Sequence, residues 1–421
     1  MNNPPQQSIE AHPEALNAIV KASETYDIVA SQDIVDARGL KLWAKGQPIS
    51  YALQQRLLDR QLMRPLEACL EVADGVTLFS LHDDLKAFLE DSTSLSKVLT
   101  PWAPLLLQQV KQLPLHSVAQ LLLTTGLATR PGTLPHAVAG MALAGAMAST
   151  TGTALDVRTA MLGGLLHDIG EVYIHPKYLD FVGPMDLTGH KHLVVHPRVT
   201  QMLLASTTNY PQALCRAIGE HHERMDGSGY PARLTDNMNS PLGRLLAVME
   251  VTLGILRVPA APLLRADFAL RVVPGEFDAT CTSFVCKLAK AAAEDIPSTF
   301  SIEQSLPAPL ELIDQLINQA KQLGTTLKSQ GRGGPILEVV EAALFRLGRL
   351  RVAWNALGYW GVNSGELNVE EQFDLVLANK ELHQRLKQLQ RECLLLSERL
   401  GELEKTWIEP LWRGMLLLIP D

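Results

Sequence analysis

The chain has 421 residues, enough for two or three domains that each bury a core of their own. With 47% hydrophobic and 19% charged residues, its composition excludes a disordered chain. A net charge of −8 excludes a non-specific binder of phosphate backbones, which needs an excess of Lys and Arg, so no DNA binding is expected.

In chain order, residues 1 to about 24 are Pro/Gln-rich and then helix-like, without the basic-then-apolar order of a signal peptide. Tyr26 to Ile49 reads as short strands broken at Asp36–Gly39 and at Lys45-Gly46. Ser50 caps a helix predicted to reach Arg64, Pro65 ends it, and Leu66–Val72 reads as a strand. These elements make a small N-terminal α+β module over 1–75, followed by a helical connector over 76–109.

From Thr77 the apolar spacing is helical, with breaks at Pro101, Pro114, Pro131 to Pro135, Gly183-Pro184, Tyr210-Pro211 and Pro231. An all-α domain is predicted over 110–300. Pro297 and the loop from Ser305 to Pro309 mark its end, and helices over 310–323, 335–357 and 369–406 form a helical C-terminal region over 301–421. The leucines from Leu375 to Leu403 suit a helical hairpin or a dimerisation helix, so a homodimer through these helices is expected. The SQGRGGP stretch (Ser329 to Pro335) lacks the Lys-Ser/Thr of a phosphate loop and reads as a linker. The five cysteines form no CxxC pair and read as reduced thiols. No apolar run approaches the roughly 18 residues of a membrane span. A mainly α, cytoplasmic protein is the expectation.

Two phrases carry chemistry. In LLHDIGEVYIHP, His167 and Asp168 end an apolar helix; adjacent helical residues do not share a face, so amphipathic packing alone does not explain the pair. Its bland alternative is a buried His beside a capping Asp. In GEHHERMDGSGYP, the adjacent His221 and His222, read as lying on one helix beside Glu223, make a poor solvated face and a good pair of metal donors. Gly227 and Gly229 permit a tight turn, and Pro231 stiffens the chain after Tyr230, so the tyrosine ring can be held over the site. A plain surface loop is the alternative there.

With these phrases the stretch from about Leu134 to about Asp278 resembles the HD-GYP family, phosphodiesterases of the HD metallohydrolase superfamily that linearise cyclic di-GMP in bacteria. That family orders its ligands as a lone His, His-Asp, a lone His, His-His and a final acid. The matching residues are His136, His167-Asp168, His196, His221-His222 and Glu250, at intervals like the family's. His136 could otherwise be a core histidine of an Ala-rich helix, and His190 and His192 compete with His196, which precedes Pro197. His12, His82, His116, His175 and His383 read as ordinary histidines.

The resemblance implies two divalent transition metal ions, Fe or Mn, bridged by Asp168. His136, His167 and Glu250 would complete one metal, and His196, His221 and His222 the other, with Asp168 and His167 in the catalytic role. Tyr230, Gly229, Pro231 and Arg257 would meet the substrate. Water activated between the metals would hydrolyse cyclic di-GMP to pGpG or GMP.

Three positions depart from the family. Glu171 stands where a lysine usually meets phosphate, Glu250 stands where Asp is usual, and Arg257-Val-Pro259 is displaced from the family's Arg-Pro-Tyr segment. Gly132 stands where some members place a third-metal Glu, so two metals are expected. The competing expectations are a catalytically weak or inactive HD-GYP sensor or scaffold with signalling partners, and a hydrolase of another nucleotide.

Overall fold

The computed structural model describes residues 9–57, 60–150, 155–179, 187–235, 238–258, 260–296, 309–358 and 367–416. The predicted breaks at Gly183-Pro184 and Pro297, most of the loop from Ser305 to Pro309, and Pro259 lie outside them. The architecture is mainly α, as expected.

The N-terminal part holds α1 (Pro13–Ala22), α2 (Tyr51–Leu57) and the strands β1 (Ile9–Glu10), β2 (Ile28–Ala30), β3 (Ile34–Val35), β4 (Lys41–Trp43), β5 (Gln61–Leu62) and β6 (Leu70–Val72). They form antiparallel pairs β1–β5, β2–β6 and β3–β4. The helix predicted to reach Arg64 stops at Leu57. Leu62 instead pairs with Ile9 and is buried, so long-range pairing overrides the local helical spacing. Leu16, Ile19, Ile28, Leu53 and Leu70 build the core here, and Leu121 of the next unit enters it.

The largest core runs through α3 (Leu78–Glu90), α4 (Ser94–Leu99), α5 (Ala103–Val110), α6 (Ser117–Thr129), α7 (Thr133–Thr150) and α8 (Val157–Leu166). The short α9 (Pro176–Leu179) and α10 (Leu187–Leu193) add no side chain to it, and it continues through α11 (His196–Thr207), α12 (Gln212–Gly219), α13 (Pro241–Ile255), α14 (Pro262–Arg271) and α15 (Ala279–Ala292). Helix α7 is apolar on nearly every face because it lies at the centre. It crosses α8 backbone to backbone: a Cβ on Gly140 would lie 2.7 Å from the Gly164 carbonyl oxygen, and one on Gly164 would lie 2.4 Å from that of Gly140.

A second helical core is built by α16 (Pro309–Ser329), α17 (Pro335–Ala356), α18 (Val369–Ser397) and α19 (Glu402–Leu416). The single helix predicted over 369–406 is two. Leu400 turns into the core, and Gly401 donates its N–H to Glu404 at 3.0 Å as the next helix begins. Leu382, Leu386 and Leu389 are buried with Val340 and Leu347 of the same chain, so that stripe is consumed within the chain as a helical hairpin would consume it. Helix α18 also packs on α10 and α14. No described helix is long and apolar enough to cross a membrane.

Candidate metal centre

Helix α8 is started by Asp156, which accepts the Thr159 N–H at 2.9 Å, and it ends at Leu166. His167 keeps helical angles, but Asp168 leaves them (φ −101°, ψ 6°) and the chain tightens into a 3₁₀ turn over Ile169–Tyr173. Leaving the helix there lets two adjacent side chains converge. His221 and His222 resolve in the same way: they stand in a turn after α12 ends at Gly219, and not on one helix as the sequence suggested.

All seven expected ligand positions meet. Around one carboxylate oxygen, His136 Nε2 and His167 Nε2 lie 3.3 and 3.1 Å from Asp168 Oδ2, and 3.3 and 3.1 Å from Glu250 Oε2. Around the other, His196 Nε2 and His221 Nε2 each lie 3.4 Å from Asp168 Oδ1, with His222 completing the group. Asp168 belongs to both sets, {His136, His167, Asp168, Glu250} and {Asp168, His196, His221, His222}.

The ring orientations are fixed from behind. The Nδ1–H groups of His167, His196 and His221 donate to the carbonyls of Gly164, Leu193 and Ile218 at 2.9, 2.7 and 2.6 Å, which leaves each Nε2 lone pair facing inward. Asp168 Oδ1 is buried with no hydrogen-bond donor. A buried carboxylate oxygen ringed by imidazole lone pairs is unfavourable by itself and fits a divalent cation. Burial and the neighbouring His221 and His196 hold His222 well below its usual range, as a neutral donor requires. Burial opposes charge on Asp168 and Glu250, yet the imidazoles around them hold both carboxyls well below the usual range. Burial alone would lower His136, but its contacts with Asp168 and Glu250 move it up to about 9, so protons and cations compete for that nitrogen.

The sequence reading missed the supports. The Thr200 hydroxyl accepts the Gly170 N–H at 3.0 Å and lies 3.3 and 2.9 Å from the carbonyls of His167 and His196, tying two ligand-bearing segments together. A Cβ on Gly170 would lie 2.3 Å from that hydroxyl, so glycine is required there. Glu223 accepts the N–H groups of Ala232, Arg233 and Leu234 at 2.5, 3.1 and 2.9 Å and so anchors the loop that carries Tyr230. Glu220 accepts from the N–H and hydroxyl of Ser240 at 2.8 and 2.5 Å and joins the end of α12 to the start of α13. Only the fold brings these partners together.

The Tyr230 ring stacks on His222 with centroids 4.5 Å apart, and burial pushes its phenol well above the usual range. The Tyr230-Pro231 bond is cis. Gly229 is buried, and a Cβ there would lie 2.4 Å from Glu223 Cα, so its place is against the backbone that carries the histidines. Cavities of about 580 and 890 Å³ are both lined by Tyr230, His222 and Glu250, and Pro231 lines the larger. Exposed Arg257 lines the smaller one with Arg130, Tyr178 and Glu171. Glu171 faces the site but is paired with Arg130 at 2.6 Å; burial and then Asp168 raise its carboxyl above the usual range. His190 lies beside Tyr230, His192 stacks on Tyr178, and neither joins the ligand sets. His116 caps α6, and His383 is buried, hydrogen bonding with the Asn379 carbonyl at 2.7 Å.

A bundle that gathers histidines and carboxylates from its helix ends into paired sets around one aspartate is the arrangement of an HD metal-binding domain. Residues 121–251 match the family described as HD domain. The chain is 34% identical over 95 residues to a cyclic di-GMP phosphodiesterase, PA4108, of Pseudomonas aeruginosa, covering 23% of each. It is 30% identical over 160 residues to the cyclic di-GMP phosphodiesterase response regulator RpfG of Xanthomonas campestris pv. campestris, covering 36% of this chain and 42% of that one. It is 28% identical over 153 residues to the 3′3′-cGAMP-specific phosphodiesterase 1 of Vibrio cholerae, covering 36% and 35%. The chain thus spans less than half the length of these curated relatives. No solved structure gives a significant match.

Proposed function

We propose that the chain is a metal-dependent phosphodiesterase that hydrolyses a cyclic dinucleotide, with cyclic di-GMP as substrate and pGpG or GMP as product. The observation that carries this reading is Asp168, whose two oxygens face separate imidazole sets. His136, His167 and Glu250 would hold one divalent ion and His196, His221 and His222 the other, Fe or Mn suiting neutral imidazoles with carboxylates. Bound there, such ions supply Lewis acidity and make water nucleophilic near neutral pH.

The chain's own residues do the rest. The carbonyl-anchored imidazoles hold fixed directions, so little reorganisation is needed when charge develops on phosphate. Tyr230 walls the centre on the side of His222 and keeps bulk water from that ring. Arg130 and Arg257 line the smaller cavity, the first balanced by Glu171.

Purified protein is expected to hold about two transition metal ions per chain and, with Mn or Fe(II), to linearise cyclic di-GMP. Metal bound without pGpG or GMP formed would sink the enzymatic reading. It would favour the second reading, a ligand-binding HD-GYP sensor, which the acidic Glu171 facing the phosphate side supports.

A further inference from the structure

We propose that α18 supplies the recognition wall of this site, with Arg391, Gln384 and Gln388 receiving a phosphate and a base edge of the cyclic dinucleotide. The inference rests on the proposed function and deepens it. The larger cavity, about 890 Å³, has His221, His222, Glu250 and Tyr230 on one side and the polar stripe of α18 on the other. Its size suits a ligand larger than a single phosphate. Helix α18 is two-faced. Leu382, Leu386 and Leu389 enter the C-terminal core, while Gln384, Gln388 and Arg391, four and three residues apart, share the side that lines the cavity.

The charges of that cavity point to Arg391, because Lys380 and Arg399, which also line it, are exposed to solvent and Arg265 donates to the Ala260 carbonyl at 2.7 Å. Glu223 is consumed by backbone N–H groups, Glu381 by Arg385 at 2.7 Å, and Glu392 by Arg346 at 3.2 Å and Arg233 at 3.5 Å. Arg224 and Arg385 are both spent on Glu276, and Arg224 also donates to the Gln388 side-chain oxygen at 3.0 Å, which leaves the Gln388 amide N–H groups for a base edge. Arg391 is half-buried, and among the described residues it makes no hydrogen bond or ion pair. A partly desolvated guanidinium facing a cavity is unfavourable until an anion arrives, and phosphate matches its planar fork.

The path from Arg391 to the metal ligands is short. Burial and then the charge of Arg391 push His190 down to about 4, so a neutral imidazole lies beside it. His190 meets Tyr230 edge-on with ring centroids 6.5 Å apart, and Tyr230 stacks on His222. A ligand on Arg391 therefore lies against the ring that borders the centre. Residues 121–251 match the HD family, so α18 adds a wall from outside the matched domain.

The test uses the full-length, metal-loaded protein with Arg391→Ala and Arg391→Lys, and reads binding of a bisphosphorothioate analogue of cyclic di-GMP alongside turnover of cyclic di-GMP. A lost charge-assisted hydrogen bond should weaken analogue binding and raise KM by about tenfold to a hundredfold in Arg391→Ala, with partial recovery in Arg391→Lys. The loss should fall on KM more than on kcat, with metal content and melting temperature at wild-type values. Unchanged KM and analogue affinity in Arg391→Ala, with wild type active, would overturn the wall and leave the phosphodiesterase reading standing. Arg391-dependent binding without hydrolysis by wild type would retain the wall and overturn the enzyme. A wild type that neither binds nor cleaves would overturn both.

Discussion

Asp168 and Thr200 make different contributions to one centre. Asp168→Asn removes the charge both ligand sets face, so metal content should fall from about two ions per chain to less than one, read by elemental analysis. Thr200→Val leaves the Gly170 N–H without its acceptor, at a cost of about 1–3 kcal/mol in a thermal melt. It also frees the segments carrying His167 and His196, so a chelator competition should show metal affinity about tenfold to a hundredfold lower. Glu171 differs from these supports because its partner is a cation that lines the smaller cavity with it. A partly exposed pair of this kind is worth about 0.2–1 kcal/mol, so Glu171→Gln, which removes a negative charge from the cavity, should raise kcat/KM by about twofold to fivefold. An unchanged value would place the pair outside substrate handling. The ligand candidates were legible because their order and chemistry lie in the chain itself. Thr200, Glu220 and Glu223 were not, since a threonine or a glutamate has ordinary surface uses and only its distant partners show its work.

At the scale of elements, the centre depends on where helices stop and how closely they cross. The adjacent His167 and Asp168 converge because α8 ends between Leu166 and the 3₁₀ turn, a point that apolar spacing alone leaves undetermined to within a turn. Gly140 and Gly164 let α7 and α8 touch, and His136 and His167 lie about one turn from that crossing, with their Nε2 atoms 3.2 Å apart. Gly164→Ala would press a methyl on the Gly140 carbonyl, and backbone cannot move aside as a side chain can. About 1–3 kcal/mol of stability should be lost, and His136 should separate from His167, lowering metal affinity even though no ligand is changed; differential scanning and metal titration read the two effects. Nothing in a local window marks these two glycines, and the crossing that requires them is a tertiary fact.

Across the whole molecule, the C-terminal helices reach the HD domain through a buried ionic clamp. Glu276 pairs with Arg224 and, at 3.2 Å, with Arg385 of α18, which also donates to the Ala269 carbonyl at 3.1 Å. Burial opposes the Glu276 charge, but Arg224, Arg385 and Arg346 outweigh it and hold its carboxyl below the ordinary value of 4.5. A carboxyl depressed on folding stabilises above that ordinary value and loses its contribution as pH falls below it, so the docking of α18 should loosen in acid. Amide exchange in α18 should rise below about pH 4.5 while α7 stays protected. Glu276→Gln should destabilise the protein by about 3–5 kcal/mol at neutral pH, because it leaves two buried guanidiniums short of a counter-charge. A mainly α chain, a small N-terminal α+β part, and the identity and order of the seven ligand candidates were set by the sequence, since apolar spacing and donor chemistry are local properties. The tertiary structure decided the rest: the strand pairing that ended α2 early, the turns that turned neighbouring side chains to one point, the burial of the α18 leucines within the chain, and the cavity between α18 and the metal ligands. Each of those depends on contacts between residues far apart in the chain, whose free energy no local window contains.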